Sequence, residues 1–347
     1  MTTPAITEIL NIAHSPAWMP WAVSYFFFIG LAVSAAFLSL MGTLLGRPGW
    51  DKASRAAAIV MMTCAITAPI ALLGDLHQPG RFWHFYTNFT PWSWMSWGAF
   101  FLPLFVVLAV VYGWLVLNPR GPFAWAVKLL ALATAIMAAL VALYTGMEVM
   151  IIKARPLWNT AFLPFLYLFT GLTGAAGLAL LFNCAAQHQD ETARTKLARA
   201  MSLFAWLSLA TLGLWFMAGV TGFSDPAARA LTAMSGDPRW LSLAAGLAVL
   251  LIVPALAGVV CKRGWVLALT GIAAAGAAWL FRWIIFMDGQ MIPKTGAGTY
   301  VWSIPAGSEG WLGIIGVFGL WLFVSIVIAG FLFRADSDQA ARATPAE

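Results

Sequence analysis

The sequence predicts an all-α polytopic membrane protein. Of its 347 residues, 62% are hydrophobic and only 9% are charged, and the mean hydropathy is +0.85. An ordinary soluble domain carries roughly 25% charged residues, so this composition excludes a soluble enzyme, a disordered chain and a small disulfide-built secreted module. The chain also contains repeated apolar stretches of about 20 residues, the length that an α-helix needs to cross a bilayer.

Nine such stretches are predicted to be transmembrane helices within one transmembrane domain, residues 21–333. An external N-terminal segment, 1–20, precedes this domain, and a cytoplasmic tail, 334–347, follows it. The first twenty residues lack a basic region, so no cleavable signal peptide is predicted. One arrangement for nine such helices is two four-helix bundles plus a ninth helix. The predicted helices lie near 21–45, 56–74, 97–117, 123–147, 160–183, 200–222, 240–260, 264–287 and 310–333.

The distribution of Lys and Arg predicts the orientation of the chain, because cytoplasmic loops carry an excess of these residues. Twelve of the 19 lie in the loops after helices 1, 3, 5 and 7 and in the C-terminal tail. Seven lie on the opposite side, including Arg282, which is assigned to the loop nearest to it. The N-terminus is therefore expected outside and the C-terminus in the cytoplasm. The net charge of +6 is attributed to this bias rather than to nucleic-acid binding.

A weak internal repeat relates helices 1 and 5. Residues 25–40 and 166–181 match at five of sixteen positions, and Gly30 aligns with Gly171. The two helices would cross the membrane in the same direction, so a repeat here is parallel rather than inverted. Apolar helices also match at such rates by chance, and both interpretations stay open.

The long connections rich in Trp, Pro and Gly fall on the predicted external side, so functional residues are expected there. In 74–98, Asp75 follows helix 2, and Arg81 comes after a Pro79-Gly80 turn that is able to bring the two side chains together. A carboxylate at a membrane edge is costly unless it is paired or solvated. Asp75 is thus a candidate proton acceptor or the partner of Arg81, and the alternative is a structural salt bridge beside an aromatic belt.

The segment 144–159 places Tyr144 and Glu148 at positions i and i+4, on one face of a helix. A phenol beside a carboxylate is able to hydrogen-bond a quinone oxygen and to pass on its proton. Arg155 follows closely, and its charge is able to change the proton affinity of the carboxylate. The alternative is an interfacial tyrosine among ordinary loop charges.

Two further external features carry weaker signals. Tyr25, in the outer third of helix 1, is expected at a depth similar to that of Tyr144, and His14 precedes it. A lone interfacial tyrosine is usually an anchor, and a loop histidine is usually a surface residue. The Gly- and Pro-rich segment 282–311 suits docking to a partner subunit, with a plain connecting loop as the alternative.

The positions of histidine and cysteine argue against a redox metal in this chain. No histidine lies inside the nine predicted spans, whereas membrane haem commonly takes histidine ligands from helices. Cys64, Cys184 and Cys261 are scattered and form no CxxC pair, so they do not form an iron–sulfur or zinc site by themselves. We therefore predict no metal site, no haem and no iron–sulfur cluster in this chain.

Taken together, four motifs resemble the polysulfide-reductase membrane-subunit family, often called NrfD-like. They are Tyr25 to Gly30 in helix 1, DLHQPGRFW with WSWMSWG in 75–98, YTG at 144–146, and ARPLWNTAFLPFL at 154–166. The ending IPKTGAG…GSEGWLGIIGVFGLW is more similar to the tetrathionate- and arsenate-reductase branch, whose members carry a ninth helix. The resemblance extends over most of the chain.

This resemblance implies a haem-free site for menaquinone or ubiquinone at the external membrane face. Tyr144 takes the place of the quinone-contacting tyrosine, and Asp75 and Arg81 take those of the motif carboxylate and arginine. The polysulfide-reductase branch has a quinone-contacting histidine where this chain has Tyr25, so Tyr25 or His14 is expected to supply the second hydrogen bond. The remaining quinone-binding candidates come from the fourth motif: Arg155 and Trp158.

The predicted function is that of a quinol-binding membrane subunit of a respiratory oxidoreductase complex, and not a complete enzyme alone. It would lie among the lipids of the bacterial cytoplasmic (inner) membrane and serve anaerobic respiration. Electrons would pass to an external iron–sulfur subunit and on to a molybdopterin catalytic subunit of sulfur-oxyanion, polysulfide or arsenate type. One rival is a secondary transporter, which prolines inside the helices hint at, and another is a passive membrane anchor.

Overall fold

The computed structural model describes residues 16–118, 124–186, 190–292 and 302–343, with side chains described as far as residue 330. These ranges contain no strand, and nine of their helices are long and apolar enough to cross a membrane. Short helical turns also lie at Pro79–Arg81 and His84–Thr87, and a helix of 10 residues lies at Asp225–Met234. The nine long helices are α1 (Pro20–Thr43), α2 (Asp51–Asp75), α3 (Trp94–Leu117), α4 (Ala124–Met150), α5 (Leu163–Ala185), α6 (Glu191–Val220), α7 (Pro238–Val260), α8 (Gly264–Trp283, continued by a π-helical turn, Ile284–Asp288) and α9 (Trp311–Ala343).

Each predicted span overlaps one of these helices, and the two largest differences lie at the start of α6 and at the end of α9. Helix α6 begins at Glu191 rather than near 200, because Asp190 caps it: its Oδ1 accepts a hydrogen bond of 2.7 Å from the Ala193 N–H. This hydrogen bond, together with Lys52 at 3.3 Å, holds the pKa of Asp190 below its usual range. At the other end of the chain, α9 continues to Ala343, into the segment that the sequence assigned to a tail.

The helices form two four-helix bundles and a ninth helix, as the sequence allowed. In the first bundle α1 packs on α2 and α4, and α3 packs on both α2 and α4. The second bundle repeats this order, with α5 on α6 and α8 and with α7 on both α6 and α8. The two bundles meet where α1 packs on α5, and α9 lies against α2 and α1. The shared order of neighbours supports a parallel repeat of two halves.

Helix α1 is the centre of the molecule. The apolar stretch of α1 that would cross the membrane is 89% buried inside the protein, whereas that of α9 is only 17% buried. The outer helices expose leucine, isoleucine, valine and phenylalanine side chains, for example Leu214, Val259 and Ile315, which is expected of a surface that faces lipid. Residues on α1 are therefore placed to contact both halves of the protein.

Glycine pairs allow the helices of the second bundle to approach closely, a common device where helices associate in membranes. Gly177 on α5 and Gly271 on α8 face each other, and a Cβ atom on Gly177 would lie 2.6 Å from the carbonyl oxygen of Gly271. The substituted atom would meet backbone, which is not free to rotate away. The contact therefore depends on both residues being glycine.

The first prediction concerns this contact. Gly177→Ala should destabilise the protein by about 1–3 kcal/mol, the usual cost of overpacking a close-packed site, and should lower its thermal unfolding temperature in detergent. Gly213→Ala is the matched control, since nothing lies within 4 Å of a Cβ atom at Gly213. Equal unfolding temperatures for the two variants would contradict the close approach of α5 and α8.

Candidate functional site

A cavity of about 430 Å³ lies among α1 to α4, at the end of the first bundle where α1 begins and α2 ends. This volume is within the usual range for a small-molecule site. Most of its wall is apolar, and four of the residues that the sequence singled out line it together: Tyr25, Asp75, Tyr144 and Glu148. Residues separated by up to 123 positions in the chain thus share one space.

The two tyrosines form the most deeply buried polar pair of the cavity. Tyr25 of α1 is 2% exposed, Tyr144 of α4 is 4% exposed, and their hydroxyls are hydrogen-bonded to each other. Gly98 of α3 makes room for this arrangement, because a Cβ atom there would collide with the ring of Tyr144. The cavity therefore carries two adjacent hydroxyls on one wall, each able to donate and to accept.

The two carboxylates are less deeply buried than the tyrosines. Glu148 lies one turn beyond Tyr144 on the same face of α4, as the i, i+4 spacing predicted. Asp75 ends α2, and its Oδ1 accepts a hydrogen bond of 3.2 Å from the backbone N–H of Met19. Asp75 therefore holds the chain that enters α1 while it also faces the cavity.

Arg81 is not paired with Asp75: no ion pair joins the two, although the structure describes both residues. Instead Arg81 lines a neighbouring surface pocket of about 500 Å³, together with His77 and His84. Leu76, Phe82 and Phe85 line both spaces. Arg81 thus lies beside the cavity and outside its wall.

Two prolines inside helices contribute to the shape of the cavity. Pro69 of α2 and Pro103 of α3 both line it, and a proline in a helix removes a backbone hydrogen bond and bends the helix. Nearby wall residues reach the lipid-facing surface, since Leu73 is 41% and Val107 59% exposed. The wall formed by α2 and α3 thus includes side chains that reach the surface that hydrocarbon chains would cover.

Arg155 and Trp158 do not line the cavity. They bind the end of α8: Arg155 Nη1 donates to the carbonyl oxygens of Gln290 (2.8 Å) and Ile292 (2.9 Å), and Trp158 Nε1 donates to that of Ile285 (2.6 Å). Trp158 then stacks on Trp18, with ring centroids 5.3 Å apart, and Trp18 is a wall residue. Both residues therefore affect the cavity indirectly, by supporting neighbouring segments and side chains. His14 lies outside the described residues.

The end of α8 is interior, which corrects the expectation of an exposed docking loop for residues 282–292, whereas most of 302–311 is exposed. Asp288 is 0% exposed and forms an ion pair of 2.7 Å with Arg239. Gln290 is 6% exposed; its Oε1 accepts from the N–H groups of Ala17 and Trp18, and its Nε2 donates to the carbonyl oxygen of Trp18. The end of α8 thus fixes the stretch of chain that leads into α1.

The predicted position of Arg282, in an external loop, is wrong. The residue is not in a loop but 1% exposed inside the bundle, and a Thr hydroxyl and backbone carbonyls surround it in place of a carboxylate partner. Its Nε donates to the carbonyl oxygen of Phe26 (2.7 Å), Nη2 to that of Tyr167 (3.1 Å), and Nη1 to that of Ala278 (2.9 Å) and to the hydroxyl of Thr170 (3.3 Å). The uninterrupted apolar run on both sides of Arg282 was the signal that could have shown it to be inside a span.

Within the described ranges, no group of three or more His, Cys, Asp or Glu side chains is placed to hold a metal ion. The ionisable side chains that line the cavity are three phenols, Tyr25, Tyr86 and Tyr144, and two carboxylates, Asp75 and Glu148.

Comparisons with known proteins match nearly the whole chain. The family model described as "Polysulphide reductase, NrfD" matches residues 10–294. One subunit of the tetrathionate reductase of Salmonella typhimurium is 36% identical over 93% of this chain and 94% of its own length. Protein NrfD of Escherichia coli is 26% identical over 78% of this chain and 94% of its own length. One subunit of the selenate reductase of Mesobacillus selenatarsenatis is 21% identical over 80% of this chain and 75% of its own length.

The contacts of Trp158 generate the second prediction. Trp158→Phe keeps an aromatic ring beside Trp18 but leaves the buried carbonyl of Ile285 without its donor, which typically costs about 1–3 kcal/mol. The thermal unfolding temperature should therefore fall. Trp92→Phe is the control, because Trp92 is 86% exposed. If both variants unfold at the wild-type temperature, the hydrogen bond from Trp158 does not stabilise the end of α8.

Proposed function

This chain belongs to the NrfD family, and from that membership we propose that it is the quinol-binding membrane subunit of a respiratory reductase complex. The observation that carries the proposal is the meeting of Tyr25, Tyr144, Asp75 and Glu148 in one cavity with apolar walls. Hydroxyls to hold a head group and carboxylates to take protons are what quinol oxidation requires. The names of two relatives, which are subunits of tetrathionate and selenate reductases, support membership of a reductase complex.

The cavity fits the chemistry of a quinone. A quinone has a flat ring with two polar oxygens and an apolar tail, and it diffuses within the membrane. It would enter from lipid between α2 and α3, where wall residues reach the surface. The apolar wall would accept the ring and the start of the tail, and the paired tyrosines lie at the buried side. Both menaquinone and ubiquinone meet these requirements.

In this proposal each polar residue has one task. Tyr144 and Tyr25 hydrogen-bond the two oxygens of the head group. For the second hydrogen bond, the proposal takes Tyr25 rather than His14. Oxidation of one quinol yields two electrons and two protons. Asp75 and Glu148 accept the protons and release them toward the end of the bundle at which α1 begins. Arg81, in the adjacent pocket, contributes positive charge near this exit.

The electrons leave for a partner subunit. We propose that an iron–sulfur subunit docks over the cavity at the external face and passes electrons to a molybdopterin subunit that reduces a sulfur oxyanion, polysulfide or an oxyanion such as arsenate. The orientation rests on the bias of Lys and Arg. With Arg282 inside the bundle, six rather than seven of these residues remain on the external side, which increases the bias. The proposed location is the bacterial cytoplasmic membrane.

Two rival functions make different predictions. A secondary transporter would carry its ionisable site near the middle of the membrane, and substrate flux in proteoliposomes without any partner subunit would favour it. A passive anchor would need no cavity, and normal quinol turnover after joint substitution of Tyr25, Tyr144, Asp75 and Glu148 would favour it.

The third prediction tests the tyrosine pair. Tyr144→Phe should reduce quinol-linked reduction in the assembled complex roughly tenfold or more, because a hydrogen bond to a group that becomes charged is worth about 1.5–3 kcal/mol. Co-purification of the partner subunits should be unchanged. Tyr112→Phe is the matched control: Tyr112 is also buried, but its hydroxyl bonds Ser39 and Thr43 and it does not line the cavity. Wild-type turnover in Tyr144→Phe would remove Tyr144 from the site.

The fourth prediction identifies the proton acceptor. Asp75→Asn and Glu148→Gln each keep the shape of the side chain and remove its basic oxygen. Loss of a general base typically costs roughly 10²–10⁴ in rate, so the variant that removes the main acceptor should show a loss of that order in quinol oxidation. The amide of Asp75→Asn still offers an oxygen to the Met19 N–H, so folding should be retained. Normal turnover in both variants would exclude both carboxylates as acceptors.

A further inference from the structure

A second, much smaller cavity lies deeper in the bundle, beside Arg282. Its volume is about 20 Å³, and the residues that line it include Gly30, Ser34, Thr145, Tyr167 and Arg282. A cavity needs roughly 10–15 Å³ measured in this way to hold one water molecule. Phe26 lines both this cavity and the large one, so the two spaces are separate but neighbouring.

The polar groups around the small cavity have unused hydrogen-bonding capacity. Ser34 is 1% and Tyr167 6% exposed. Their hydroxyl oxygens are fully enclosed and have no hydrogen-bond partner among the described residues. A guanidinium carries five N–H donors, and the described bonds of Arg282 use four of them. One N–H on Nη2 remains. Buried groups of this kind are rarely left without a partner, because each costs about 1–3 kcal/mol.

Two of these groups, Ser34 Oγ and Arg282 Nη2, lie near one point beside Gly171, and Tyr167 lines the same small cavity. A Cβ atom on Gly171 would lie 2.6 Å from Ser34 Oγ and 3.5 Å from Arg282 Nη2. A Cβ atom on Gly30 would collide with the guanidinium itself. The two glycines that align in the internal repeat therefore keep open the space in which an Arg N–H and a Ser hydroxyl face each other.

We propose that this cavity is a binding site for one internal water molecule. The water accepts the remaining Nη2–H of Arg282 and hydrogen-bonds the hydroxyls of Ser34 and Tyr167, which gives it three partners, the usual number for a buried water. It completes the hydrogen bonding of a cation that is buried among apolar helices. The site is distinct from the proposed quinone cavity, and it does not depend on quinol chemistry.

Radiolytic hydroxyl labelling of the full-length chain in lipid nanodiscs, read by mass spectrometry in ¹⁸O-water, tests the proposal, because buried side chains that touch a bound water are labelled. Tyr167 should be labelled several-fold faster than Tyr112. The two are a matched pair: both are buried tyrosines, but the hydroxyl of Tyr112 is bonded to Ser39 and Thr43. Equal labelling of the two tyrosines would overturn the proposal.

A variant provides a second measurement. Ser34→Val removes the hydroxyl and adds two methyl groups that occupy the cavity, so the labelling rate of Tyr167 should fall to that of Tyr112. Ser208→Val is the control, since Ser208 is buried on α6 and bonds a carbonyl oxygen of its own helix. An undiminished rate for Tyr167 in folded Ser34→Val would overturn the water site. If that variant does not fold, the comparison within the wild type still decides. Neither readout uses quinol, so a failure of the quinol proposal would leave it intact.

Discussion

The structure depends on the burial of one guanidinium where its two halves meet. Removing a cation from water is costly unless polar groups replace the water. Here the replacement comes from three helices at once: Phe26 on α1, Tyr167 and Thr170 on α5, and Ala278 on α8. Arg282 thus ties α1, the central helix, to the second bundle. Neither half provides this set of acceptors alone, so the charge is satisfied only when the halves are packed in this register.

An aromatic layer separates this cation from the cavity that holds the carboxylates. Phe26 packs on Phe286 with ring centroids 4.3 Å apart, and Tyr167 stacks on Phe286 at 6.3 Å. Trp18, itself a wall residue, packs on Phe26 and on Phe286. The contacts of Trp158, Arg155 and Gln290 that fix the end of α8 and the chain before α1 therefore also hold this layer. The carboxylates remain on the side that opens to the surface, and the cation remains on the enclosed side.

Features that depend on residues close together in the chain could be predicted from the sequence. Apolar length predicted the nine spans, and the i, i+4 spacing placed Tyr144 and Glu148 on one face. The start of α6 was missed because a cap by Asp190 extends the helix beyond its apolar part. Contacts between distant parts of the chain could not be read from the sequence: Arg282, Trp158 and Gln290 have partners more than 100 residues away. A turn at Pro79-Gly80 suggested a pair of Asp75 and Arg81, but the folded chain gives Asp75 a backbone partner instead.

The internal repeat shows how the half that contains the cavity differs from the other half. The aligned helices α1 and α5 both offer a carbonyl to Arg282 at equivalent positions, Phe26 and Tyr167, and both carry glycine four residues later. The position before that carbonyl differs: it is Tyr25 in α1 and Leu166 in α5. Only the first half thus has the hydroxyl that pairs with Tyr144. The two halves share an order of packing but differ at this polar position: the first half holds the cavity with its paired tyrosines, and the second supplies the buried cation that ties the halves together.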